Sequence, residues 1–91
     1  MSDGGTEESL IEYPCDFPIK VMGRSDGELE TLVRELVTGV LSAERFIDSR
    51  SAASSAGRFV SVTVTVRVED RAELDAVYAA FTGHDDVLMV L

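Results

Sequence analysis

Phe59-Val60-Ser61-Val62-Thr63-Val64-Thr65-Val66-Arg67-Val68 alternates valine with a polar residue from Val60 to the end of the stretch. A strict period of two sends the valines to one face of an extended chain and Ser61, Thr63, Thr65 and Arg67 to the other. β-branched residues at nearly every step suit a pleated backbone and resist a helix. The stretch therefore predicts a central strand of an antiparallel sheet, with helices over its valines and an uncovered face carrying its polar residues.

Working toward the N-terminus, Ser51-Ala52-Ala53-Ser54-Ser55-Ala56-Gly57 is small and flexible and predicts a long hairpin loop. A mobile hairpin tip is preferred to the other reading, in which its hydroxyls and the flanking Arg50 and Arg58 bind an anion. Ser42 to Arg50 holds Phe46 and Ile47 among charges, as a short edge strand does. Before it, Leu29, Leu32, Val33, Leu36, Val37, Val40 and Leu41 recur every three or four residues and predict an amphipathic helix. Ser25 and Glu28 have the spacing of a capping box at its start, and Gly39 marks either a weak point or a close backbone approach. Phe17 to Met22 alternates again as a first strand, with Phe17, Ile19 and Val21 on one side, Pro18, Lys20 and Met22 on the other, and Gly23 at its end.

Toward the C-terminus, Asp70 and Glu73 form a second capping-box pattern, with Leu74, Val77, Tyr78 and Phe81 on one helical face. Gly83 is placed for a left-handed C-cap. His84 reads as a turn residue, since neither a second histidine nor a cysteine pair accompanies it. Val87-Leu88-Met89-Val90-Leu91 is a final apolar strand in which one set, Val87/Met89/Leu91 or Leu88/Val90, must face away from the helices.

Strand, helix, strand, strand, helix, strand is β-α-β-β-α-β, the ferredoxin-like arrangement of the α+β class. It implies an antiparallel sheet in the order 4-1-3-2 with both helices on one face. A chain of 91 residues buries only roughly 60 to 70 % of its unfolded surface and supports one core. We expect a disordered acidic tail over residues 1–12 and a single domain over residues 13–91. Leu10 to Tyr13 can fold back over the open face, or a second copy or another protein can cover it.

Seventeen acids against eight bases leave a formal charge of −9, which disfavours nucleic acid and anionic lipid as partners. No apolar run reaches the roughly 18 residues of a spanning helix, so no membrane association is expected. The lone Cys15 and the acidic start predict a cytoplasmic protein. No cofactor or metal pattern is present. The carboxylate pairs Glu28/Glu30, Asp70/Glu73 and Asp85/Asp86 read as caps and turns, because no nucleophile accompanies them. The candidate partner or ligand surface is Lys20, Met22, Gly23, Arg24, Ser61, Thr63, Thr65 and Arg67, facing an unknown protein, a small molecule or a second copy in a homodimer.

Tyr13-Pro14-Cys15-Asp16-Phe17-Pro18-Ile19-Lys20-Val21-Met22-Gly23, the strand from Gly57 to Val68 and the Met89-Val90-Leu91 ending together resemble the YbeD-like family of small bacterial proteins. The resemblance implies a ferredoxin-like fold similar to the ACT domains that regulate metabolic enzymes, a non-catalytic regulatory or binding role, and a link to lipoate metabolism. It carries over no catalytic residue. ACT-like use would make Gly23 to Gly27 a ligand-facing loop, although an ordinary connection is the preferred reading. An RRM-like nucleic-acid-binding domain and a small enzyme are the alternative readings, the first weakened because the valine strand presents Phe59, Ser61, Thr63 and Thr65 where such a module needs several aromatics.

Overall fold

The computed structural model of the protein describes residues 12–54 and 56–91. Strand β3, Phe59–Val68, lies inside the sheet, and Val62, Val64, Val66 and Val68 have no solvent exposure. It pairs antiparallel with β1, Cys15–Arg24, on one side and β2, Phe46–Ala53, on the other; β4, Val87–Val90, flanks β1. The resulting order β2-β3-β1-β4 is the expected 4-1-3-2 read from the other edge.

Helices α1, Leu29–Val40, and α2, Arg71–Thr82, cover the valine side. Leu29, Val33 and Val37 from α1 and Leu74, Val77 and Phe81 from α2 close over Ile19, Val21 and the β3 valines. Each fully buried side chain contributes about 1.5–3 kcal/mol of transfer free energy, so this layer is what holds the helices to the sheet. At one rim the Arg34 guanidinium stands 4.3 Å from the centre of the Phe46 ring, which lets a charged helix residue cover an aromatic core neighbour.

Several local expectations are corrected. α1 begins at Leu29 with Glu28 as its N-cap and no side-chain capping bond. Ser25 instead donates its hydroxyl to Gly57 O at 2.6 Å, tying the turn after β1 to the hairpin before β3. β2 runs on to Ala53, so much of the predicted loop belongs to the ladder, and the chain reverses near Gly57 at φ 76°. That backbone favours glycine over any residue with a Cβ. Gly83 caps α2 at φ −84°, a right-handed conformation rather than the expected left-handed one. Gly39 has no atom within 4 Å of where a Cβ would stand, so it is no close approach.

The second capping pattern forms in altered shape. Asp70 Oδ1 accepts the Glu73 N–H at 2.9 Å, while Glu73 Oε1 reaches past the cap to the Glu69 N–H at 2.8 Å. Asp70→Ala leaves a helical N–H without its acceptor and should lower stability by about 1 kcal/mol, read as a shifted denaturation midpoint. A shift below a few tenths of that size would show that solvent serves the cap equally well.

The tail expected over residues 1–12 lies, but for Glu12, outside the described residues, as do Leu10 and Ile11 of the segment expected to cover the sheet. Tyr13 packs against the buried cluster beneath the helices. Among the described residues no helix is long and apolar enough to cross a membrane.

Candidate functional site

The face of the sheet away from the helices is built by the pairing register. Met22 stands opposite Ser61, Lys20 opposite Thr63, Pro18 opposite Thr65 and Asp16 opposite Arg67. On the far side of β3, Ala52, Arg50 and Asp48 oppose Ser61, Thr63 and Thr65. Side chains directly across an antiparallel pair share a face, so Arg50, Thr63 and Lys20 form one transverse row. Ser49 and Ser51, one step off this register, confirm the parity: both donate their hydroxyls to the Glu30 carboxylate on α1, at 2.9 and 3.3 Å.

β4 completes the face with Met89, which opposes Met22. Its ladder continues beyond the strand, with Leu91 N–H donating to Lys20 O at 2.8 Å and Lys20 N–H to Leu91 O at 3.3 Å. Of the two sets the sequence allowed, Met89 and Leu91 face outward, 51 % and 62 % exposed. Val90 packs inward, and a register shift between Met22 and Gly23 brings Val87 to the core as well. Leu88 is also exposed, beside Leu29 and Leu32 in a cleft at the start of α1.

The sequence-predicted surface residues thus come together with one exception. Lys20, Met22, Arg24, Ser61, Thr63, Thr65 and Arg67 lie on the open face, whereas Gly23 is buried and its Cβ position points toward Leu29 and the Asp86 carbonyl. Arg67 is occupied by Asp16, Nη1 to Oδ1 at 3.1 Å, across neighbouring strands. Lys20, Arg24 and Arg50 make no ion pair among the described residues. Sequence reasoning did not place Arg50 on this surface. Alternation of Asp48, Arg50 and Ala52 is the signal that would have found it, had the strand been carried past Arg50.

Other titratable groups serve the scaffold. His84 Nδ1 accepts the Asp86 N–H at 3.2 Å, which fits its reading as a turn residue. Arg45, in a short 3-10 turn before β2, donates through Nη1 to Glu73 Oε1 at 2.6 Å and through Nη2 to Glu73 Oε2 at 3.2 Å, with Nη1 also reaching Arg67 O at 3.1 Å. The Arg45 hydrogen bond, followed by the Glu69 N–H, holds the Glu73 carboxyl below its ordinary value of 4.5. A depressed carboxylate stabilises the fold above that ordinary value and loses its contribution as pH falls through the lower folded-state value. The stability difference between the protein and Glu73→Gln should therefore be largest near neutrality and shrink in acid, measured as denaturation midpoints from pH 7 downward. A difference that stays flat with pH would contradict this.

A family model described as "Protein of unknown function (DUF493)" matches residues 8–91. The chain belongs to this family. Curated DUF493 relatives carry the description UPF0250 protein. That of Paraburkholderia phymatum is 47 % identical over 87 residues, covering 92 % of this chain and 94 % of its own. That of Chromobacterium violaceum is 42 % identical over 91 residues and covers both chains fully. These similarities bear out the YbeD-like resemblance. Among solved structures, the solution structure of protein HP0495 from H. pylori matches with a TM-score of 0.68 at 21 % identity, over 89 % of this chain and 85 % of that one. At that identity the likeness supports the DUF493 fold and assigns no residue a role.

Proposed function

We propose that this DUF493 protein is a non-catalytic binding module that acts through its open sheet face, in a regulatory role such as ACT domains have. The observation that carries the reading is the segregation of charge. Among the described residues, four of the eight bases, Lys20, Arg24, Arg50 and Arg67, stand on the open face with only two of the fourteen acids, Asp16 and Asp48. A face that only had to be wet would follow the acidic composition of the rest of the chain. The apolar corner of Met22, Met89 and Leu91 beside the basic row adds a surface that a partner can dehydrate. The working surface is the sequence-predicted set without Gly23, widened by Arg50. The resemblance to lipoate-linked proteins supplies the metabolic setting of the reading, and no cofactor enters it.

An RRM-like use fits less well, because the middle of the face presents Thr63, Lys20, Ser61 and Met22 where base stacking needs rings. A catalytic use has little support from the carboxylate pairs, of which Asp70 and Glu73 are engaged in capping α2. The test is recovery of a partner from native cell extract by the full chain, by a Lys20→Glu/Arg50→Glu variant and by Glu35→Lys on the exposed side of α1. The first and third should retain a partner that the second loses. Equal recovery by all three would defeat the reading.

A further inference from the structure

We infer that the open face takes an acidic segment of a partner protein that also carries a large apolar side chain, an inference that rests on the open face being the working surface. Neighbouring strands are about 4.8 Å apart, so Arg50 and Lys20, two strands apart in one row, hold their backbone positions roughly 10 Å from each other with the Thr63 hydroxyl between them. Neither cation has an acid partner among the described residues. Asp16 is taken up by Arg67, and Asp48 stands opposite Thr65 in the next row. Two long flexible cations flanking a hydroxyl match carboxylates on a facing chain.

One row along, about 7 Å away by strand rise, Met22 and Met89 are directly opposed, and Leu91 lies beside Lys20. Methionine adapts its shape to what it contacts, so this corner accepts a Leu, Ile or Phe side chain without a preformed pocket. A small anion would satisfy the cations and leave the apolar corner wet. A nucleic acid would want a longer basic stripe and rings to stack on, and Phe59 at the far end of β3 is the one ring among the described residues of this face. A second copy laid face to face would bring Lys20 and Arg50 against their own kind, on chains that each carry −9.

The negative charge of the chain does not bar an acidic partner. The acids of α1 and α2 lie behind the sheet, on helices roughly 10 Å thick, and charges there are screened over a Debye length of about 8 Å at physiological salt. The contact cations on the open face act at shorter range.

Random peptides displayed on phage and selected against the immobilised full chain test the inference. The full chain should enrich peptides with an excess of Asp and Glu and at least one large apolar residue. Synthetic copies should shift the amide resonances of Lys20, Arg50 and Thr63. Lys20→Glu/Arg50→Glu should weaken them roughly tenfold or more and should enrich Lys- or Arg-rich peptides in its own selection. Met89→Ser, an exposed change that leaves the core untouched, should weaken the same peptides by a smaller factor. Neutral or basic peptides that map to this face would overturn the inference and leave the binding-module reading standing. Peptides that map to the helices would overturn both. A failure to enrich any peptide, resonance shifts caused instead by oligouridylate, or a dimer closed over this face in light scattering would each overturn the inference.

Discussion

Phe81→Ala should cost the protein about 3–5 kcal/mol of stability, a large part of the roughly 5–15 kcal/mol available to a domain of ordinary size. Phe81 has no solvent exposure and is the single aromatic among the buried core residues, most of which are valines. Valine side chains are short and stiff at their first torsion. They cannot swing into the space that a deleted ring leaves, so the cavity persists and its cost adds to the lost transfer energy. Chemical denaturation followed by circular dichroism reads the effect. A loss below about 1.5 kcal/mol, well under the usual range for such a deletion, would mean that α2 settles onto the sheet and refills the gap.

Gly23→Ala should destabilise by about 1–3 kcal/mol despite adding only one methyl group. The new Cβ would stand 2.8 Å from the Asp86 carbonyl oxygen and 3.2 and 3.3 Å from the two terminal carbons of Leu29. Leu29 can give way, but the carbonyl belongs to the turn that leads into β4. β4 is four residues long and pairs with β1 alone. Strain at Gly23 should therefore loosen β4 before the rest of the sheet. Hydrogen exchange at the Leu91 amide, bonded to Lys20 O, should accelerate more than exchange along the β2–β3 ladder. Gly39→Ala is the control: open space surrounds that position, and alanine should stabilise the helix by about 0.5–1 kcal/mol. Equal effects at both glycines would remove the steric argument.

The two glycines show what a sequence does and does not disclose. Both punctuate apolar patterns, and the distant contact that crowds one and not the other is not written in their neighbours. Its place at the end of the first strand groups Gly23 with the surface residues. Alternation from Ile19 and Val21 assigns it to the core face, and a carbonyl from a turn more than sixty residues away fills the space beside it. The capping signals behaved similarly. Asp70 and Glu73 meet across one helical turn and form half of the box as read, with the return bond moved on to Glu69, whereas Ser25 donates to Gly57 O, which its local pattern cannot reveal.

The valine strand was legible because each of its residues carries its own side in the alternation, and the two helical stripes were legible for the same reason. Those patterns, with the order of the elements and the handedness of their connections, determined the fold and which half of β3 is buried. Which residues share the open face with Ser61, Thr63 and Thr65 was decided by the tertiary structure. Pairing register is a relation between distant segments, and a one-residue shift moves a whole strand to the other side of the sheet. The irregularities between Phe46 and Asp48 and between Met22 and Gly23 are such shifts. They set Arg50 beside Thr63 and turn Met89 and Leu91 outward, and the alignment of Asp16 with Arg67 leaves Lys20 and Arg50, at the centre of the face, without an acid partner among the described residues.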